Sequence, residues 1–291
     1  LLELRAFSLG VLLPGLIVGI GLACVWRPWK PGPPPKKSFF ALFTAIAFFV
    51  SYSLLLELPP HPFGDRTPAG LDWLLWIALL SAPLFLMEDA GKALTLRSLA
   101  AAAMLAGLLR AMIVHHWSPG TAALWLGGAA VSLALLWIVG AGLNERLEGA
   151  TMPIVLLLTA TGLALVAGLN GSARLGQTTG ILCASLGAAM IIGFWHPCFH
   201  LRSGDVSFAL SLLFFLTLGA YFFSDLPALE GGLLAASPAA ARGAEVLFRL
   251  RAIPRRNLAV VLASAVPVVV AVVRSILAFQ EASSTDFYYD Y

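Results

Sequence analysis

Nine runs of about 20 apolar residues, each long enough to cross roughly 30 Å of hydrocarbon, alternate with short polar links along the chain. They lie at Phe7–Trp26, Phe39–Leu58, Leu71–Met87, Arg97–Trp117, Thr121–Leu143, Met152–Leu169, Thr178–Trp195, Val206–Phe223 and Leu258–Phe279. The links carry the proline, glycine and charge: RPWKPGPPPKKS after the first run, PPHPFGDRTP after the second, NERLEG before the sixth, NGSARLGQTT before the seventh. A β-barrel would show short segments of alternating polarity instead. The pattern therefore predicts an all-α, polytopic integral membrane helical bundle. Residues 1–279 form a single transmembrane helical domain, and residues 280–291 an acidic, aromatic C-terminal tail. Gly15 and Gly19 in the first run make a small-xxx-small pair, a spacing that lets a second helix approach closely.

The stretch from Gly219 to Asn257 decides the topology. Its first half is a weak Ala/Gly/Leu-rich segment, residues 226–241, holding Glu230, Gly231, Gly232 and Pro238. Its second half carries Arg242, Arg249, Arg251, Arg255 and Arg256. With nine spans, and the Pro-rich link after the first taken as cytoplasmic, eight basic loop residues fall on each side. Letting Leu226–Ala241 cross as a tenth span moves the five arginines inside, and the tally becomes thirteen against three. The positive-inside rule favours that arrangement, which places both termini on the non-cytoplasmic side. Sixteen residues rise only about 24 Å, so this segment needs neighbouring helices around it or is partly broken. The alternative is nine spans with residues 226–241 re-entrant.

Composition agrees with the pattern. The chain is 59% hydrophobic and 11% charged, against about 25% charged in a soluble domain. A net charge of +3, with the basic residues in loops, gives no reason to expect nucleic acid. The expected partners are the lipid bilayer and other membrane protein subunits, in a membrane of the bacterial inner (cytoplasmic) type. The three cysteines form no CxxC, so neither a disulfide framework nor a thiolate zinc site is expected.

Candidate chemistry is sparse. Arg110 and Arg274 are the cations in the interior of the nine runs, and both lie toward the outer ends of their helices. Glu57, Asp72, Asp225 and Glu230 lie toward the same side. An intramembrane ion pair or ligand contact built from Arg110, Arg274, Glu57 and Asp225, such as Arg110 with Asp225 or Glu57, is the sharpest site hypothesis, because an unpaired cation in hydrocarbon is costly. His196 and His200 are spaced i, i+4, but Pro197 lies between them, and His115 and His116 are adjacent and share no helical face. No metal, haem or other cofactor is expected. HExxH, GxSxG, GxxxxGK[ST] and paired NDxxD motifs are all missing from the sequence, and its four lysines stand outside the runs. In the tail, Asp286, Phe287, Tyr288, Tyr289 and Tyr291 combine aromatic contact area with acids that anionic lipid would repel, which suggests docking on a protein partner.

Three functional readings follow. The first is a non-catalytic membrane subunit or scaffold of a larger assembly, suggested by sparse central polarity, short loops and small-residue helix faces. The second is a small secondary transporter with a site between broken helices, since ten spans allow a five-plus-five inverted repeat. The third is an intramembrane enzyme of unknown type.

Overall fold

The computed structural model describes residues 7–27, 29, 35, 39–56, 69–87, 90–147, 149–196, 198–250 and 256–286. Within them the chain is helical, with no strand. A π-helical turn, Ser8–Leu12, runs straight into α1 (Leu13–Trp26). There follow α2 (Phe40–Leu55), α3 (Gly70–Phe85), α4 (Ala90–Leu108), a short α5 (Arg110–His115), α6 (Pro119–Asn144), α7 (Thr151–Leu169), α8 (Ala173–Trp195), α9 (Ser203–Phe223), α10 (Ala228–Leu250) and α11 (Arg256–Asp286). Six of these stretches are long and apolar enough to cross a membrane: Ser8–Trp26, α6, α7, α8, α9 and Arg256–Ala282 of α11. The chain is thus an all-helical protein with the build of a membrane bundle. α2 and α3 are apolar but, at 16 residues each, shorter.

Local chemistry sets the ends. Ser118 caps α6 through the Thr121 N–H with Pro119 just inside the helix, and Ser172 caps α8 through the Leu175 N–H. Asp72 and Asp205 reach back from the third position of α3 and α9 to the N–H of Ala69 and Arg202. These caps satisfy N–H donors that have no partner within the helix.

Contacts at the helix ends show that successive long helices alternate in direction. At one face, Trp26 ending α1 packs on His196 and Phe199 between α8 and α9. There too the Ala41 N–H of α2 donates to Asp205 of α9, the Asn144 amide of α6 donates to the Leu201 carbonyl, and Arg256 of α11 donates to the Arg146 carbonyl. At the opposite face Tyr52 of α2 meets Asp72 of α3 and Arg174 of α8, Trp117 and Trp125 before and within α6 pack on Phe222 of α9, and Glu230 of α10 meets Arg274 of α11. α9 is the axis, with 72% of its apolar window buried, and it touches α2, α3, α4, α6, α7, α8 and α10. α7 and α8 pair beside it; α1 and α2 cover α8, while α10 and α11 cover α7. The Gly15 and Gly19 pair faces Ala184 and Ala188 of α8, so it serves a helix contact inside the chain.

Three details differ from the sequence expectation. The run at Arg97–Trp117 is longer and interrupted: its helix starts at Ala90, ends at Leu108, and resumes at Arg110 after Leu109 leaves helical geometry (φ −92°, ψ 8°). Residues 228–241 do not stop at Ala241; they belong to the continuous 23-residue α10, which contains Pro238, and Leu226 and Pro227 lie just before it. The alanines and leucines of this stretch favour helix, and burial against α6, α7, α9 and α11 supports it. The final helix runs on through Asp286, so part of the tail continues α11.

α9 starts where α3 ends, and Gly204 makes that possible. A Cβ at Gly204 would overlap the Phe85 carbonyl oxygen and the Arg97 side chain. Gly204→Ala should therefore destabilise the detergent-solubilised protein by about 1–3 kcal/mol or more, as overpacking does. Gly232→Ala, where a Cβ meets nothing within 4 Å, is the control. Equal melting temperatures for the two variants would contradict this packing.

Candidate functional site

The polar chemistry of the described residues gathers in four clusters. In the first, Asp72 is buried and receives three groups: the Tyr52 hydroxyl at 2.9 Å, the Arg174 guanidinium at 2.8 Å and the Ala69 N–H at 3.0 Å. Arg174 also donates to the Tyr52 oxygen and lies over the Tyr52 ring, 5.3 Å from its centroid. Three helices are thereby tied by one carboxylate. The second cluster centres on Glu245, which is wholly buried and binds Arg242 at 2.7 Å and Arg146 at 3.2 Å. Arg242 also donates to the Gly142 carbonyl, which fastens α10 to the end of α6.

The third cluster surrounds Asp205, whose two oxygens accept the N–H groups of Ala41 and Arg202. Arg97 interacts with Asp205 electrostatically and donates to the carbonyls of Phe85 and Met87. Arg97 thus lies inside α4 but reaches back to the open end of α3, where carbonyls have no helical partner. The fourth is the pair Arg274–Glu230 at 2.9 Å. Between the second and fourth clusters, deep in the bundle, Thr159 of α7 donates to the Ser237 hydroxyl of α10 at 3.0 Å, and Ser237 donates to the Ser264 carbonyl of α11 at 2.9 Å.

No protein-family model and no curated protein sequence matches this chain. The site is therefore read from its geometry alone.

Arg274 has a carboxylate partner, Glu230, at 2.9 Å. Arg110 has none among the described residues. Its guanidinium lies 5.8 Å from the centroid of the Trp73 ring and is exposed at the start of α5. Asp225 is exposed, holds a left-handed conformation (φ 51°) just beyond α9, and forms no pair with Arg110. Glu57 lies outside the described residues. Asp286 ends α11, and Phe287, Tyr288, Tyr289 and Tyr291 lie outside the described residues. His196 and His200 fall beyond the end of α8 and both pack edge-on against Trp26, so their i, i+4 spacing makes no common helical face. Among the described residues no three of His, Cys, Asp and Glu converge as a metal set would.

Two recesses open on the flank of the bundle. One, about 710 Å³, lies between α4 and α6 and is walled by Ala101, Ala102, Ala106, Ala130 and Ala134 with Leu and Ile around them. The other, about 620 Å³, lies on the other side of α4, between Trp73 and Ile77 of α3 and Ala103, Gly107 and Arg110. A third void, about 20 Å³, sits inside the bundle beside Thr159, Thr217 and Pro238, and has room for about one water.

Asp72 and Glu230 were visible in the sequence as acids near the right side. Arg174 was not, because it reads as part of a turn, whereas α8 already begins at Ala173. The i, i+3 spacing of Arg242 and Glu245 is a readable signal; the third member, Arg146, is 99 residues away from Glu245.

These clusters differ in exposure, and that sets a test. Glu245→Gln strands two arginines against a wholly buried site and should cost about 3–5 kcal/mol. Glu230→Gln should cost about 1 kcal/mol, because its partner Arg274 is half exposed. Reversible denaturation in mixed micelles measures both, and equal losses would show that Glu245 is no more than a surface pair.

Proposed function

We propose that this chain is a ten-pass integral membrane protein acting as a non-catalytic subunit of a larger membrane assembly, with the groove between α4 and α6 as the seat of a partner's transmembrane helix. One observation carries the reading. α6 is the least covered of the long apolar helices, with 17% of its window buried, and one of its flanks forms the alanine-walled groove against α4. Alanine walls let a helix backbone approach closely, which is how helices associate where lipid removes the hydrophobic driving force. The charged clusters support the same reading, since their side chains are spent on holding helices together.

Ten passes follow from adding α2, α3, α4 and α10 to the six long apolar helices. α10 is supported as a pass by its two carboxylates. Glu230 and Glu245 stand about 22 Å apart along the helix and are neutralised at opposite faces of the bundle. The face that holds Arg97, Arg146, Arg202, Arg242 and Arg256 is the cytoplasmic one by the positive-inside rule. Both termini then face the non-cytoplasmic side, in a membrane of the bacterial inner type. The tail residues Asp286, Phe287, Tyr288, Tyr289 and Tyr291 would add a second contact to the partner there. A second reading, a small secondary transporter, draws on the hydroxyl chain Thr159–Ser237–Ser264 beside Pro238 and the small void.

Two experiments separate these readings. Purification in mild detergent should bring down a stoichiometric membrane partner, and Ala102→Trp with Ala130→Trp, both at exposed groove positions, should release it while the chain elutes as before. A chain that always elutes alone would favour the transporter. For topology, native Cys198 and an introduced Gly120→Cys, in a background lacking Cys24 and Cys183, should label from opposite sides of sealed cells: Gly120→Cys from outside, Cys198 only after permeabilisation. Labelling of both from one side would refute the alternating arrangement as a membrane topology.

A further inference from the structure

We propose that the recess between α3 and α4, capped by Arg110, is a binding site for one anionic phospholipid, with the phosphate on the Arg110 guanidinium and an acyl chain laid along Ile77, Ala103 and Gly107. The proposal rests on the membrane reading above and adds to it a ligand and a site. The recess is amphipathic along its length. At its mouth Arg110 is exposed and has no carboxylate among the described residues, while the nearby arginine at the same face, Arg174, is consumed by Asp72. Toward the interior from Arg110 the lining is Trp73, Ile77, Ala103, Ala106 and Gly107, and beyond it Ile113 and Val114 of α5, without another charge. Trp73 and Ile77 are one turn apart on α3, so the apolar floor descends about 6 Å from the indole.

That combination selects the ligand. A free anion would gain from Arg110 but nothing from the apolar floor. A purely apolar chain would leave the guanidinium unpaired at the edge of hydrocarbon, where it is costly. A phospholipid satisfies both ends, and a net negative headgroup meets the cation without a competing ammonium. Two further features shape the site. The centroid of the Trp73 ring lies 5.8 Å from the guanidinium, within cation–π range. Its indole N–H is buried and has no hydrogen-bond partner. At Gly107 a Cβ would stand 3.1 Å from the Trp73 Cβ and 3.0 Å from the Ile77 Cδ1, so glycine sets how closely α3 and α4 approach under the recess.

The test is native mass spectrometry of the full chain released from micelles containing equal phosphatidylglycerol and phosphatidylcholine with identical acyl chains. The wild type should retain one phosphatidylglycerol with about fivefold preference, the increment that a single interfacial arginine supplies. Arg110→Gln should bring the preference to about one, and Arg110→Lys should keep most of it, because a point charge still serves a phosphate. Ala103→Trp, at an exposed position on the floor, should lower retention of both lipids, and Lys92→Gln, on an exposed residue at the far end of α4, should change neither. Arg110→Gln retaining the wild-type preference, or a wild type that holds both lipids equally, would overturn the site. Displacement of the lipid by millimolar inorganic phosphate would overturn it too, because the anion alone would then be the ligand. A chain absent from the membrane fraction would instead defeat the underlying membrane reading, which separates the two failures.

Discussion

A carboxylate taken out of water must be given a partner, and four buried acids organise this bundle around that requirement. Asp72, Asp205, Glu230 and Glu245 are each nearly inaccessible, and each lies toward the end of a helix. Each therefore joins its own helix to others at a defined level. Asp72 holds α2, α3 and α8; Asp205 holds α2 and α9; Glu245 holds α6 and α10; Glu230 holds α10 and α11. Such pairs are weak evidence for stability, because desolvation offsets much of the attraction. Their effect here is on register. A helix that slid by one turn, about 5.4 Å, would strand its carboxylate in apolar surroundings.

The apolar runs were legible in the sequence because length and composition alone specify them. Their ends were less legible. α8 starts at Ala173, five residues before the expected Thr178, because Ser172 supplies a cap that polar neighbours disguise as a loop. α4 starts at Ala90, seven residues before the expected Arg97, because Ala90, Lys92 and Ala93 are good helix formers although a hydropathy pattern reads the charged stretch as link. The charge tally gave residues 226–241 weight despite their low hydropathy; residues 228–241 are helical and pack on α11, Glu230 against Arg274 and Ser237 against Ser264. What no local pattern carried was partnership between helices far apart in sequence. Arg174 finds Asp72 across 102 residues, and Arg146 finds Glu245 across 99. Spacing rules work within one helix; contacts between helices follow from packing order, which a single sequence does not state.

Packing order also explains where the molecule has room. α9 is surrounded, so its face chemistry is used up internally: Trp137 of α6 donates to Ser207 and Ser211 of α9, and Phe85 stacks edge-on against Phe208. α4 is different. It packs closely on α3 alone and only lightly on α6, which leaves a recess on each of its sides. Ala106 lines both. One is mostly apolar, with Ser98 and Trp137 in its wall and no charge, and the other includes a cation. The two sides of one helix thus offer different surfaces, one suited to another helix and one to an anionic amphiphile.

α10 is the helix whose place in a bilayer depends most on its neighbours. Its inward stripe, Glu230, Leu234, Ser237, Pro238, Ala241 and Glu245, is buried along its length, with polar groups at both ends and the middle. Exposed to lipid, that stripe would leave two carboxylates and a hydroxyl in hydrocarbon, each costing several kcal/mol or forcing protonation. Within the bundle Arg274 answers Glu230, Arg146 and Arg242 answer Glu245, and Thr159 and Ser264 answer Ser237. Three of those partners lie on α11 or on α10 itself, and the others, Arg146 just after α6 and Thr159 of α7, come from earlier in the chain. α10 therefore gains its full complement only when α11 has followed it. The two helices pack as one hairpin, docked against α7 by the hydroxyl chain and against the end of α6 by Glu245 and Arg242.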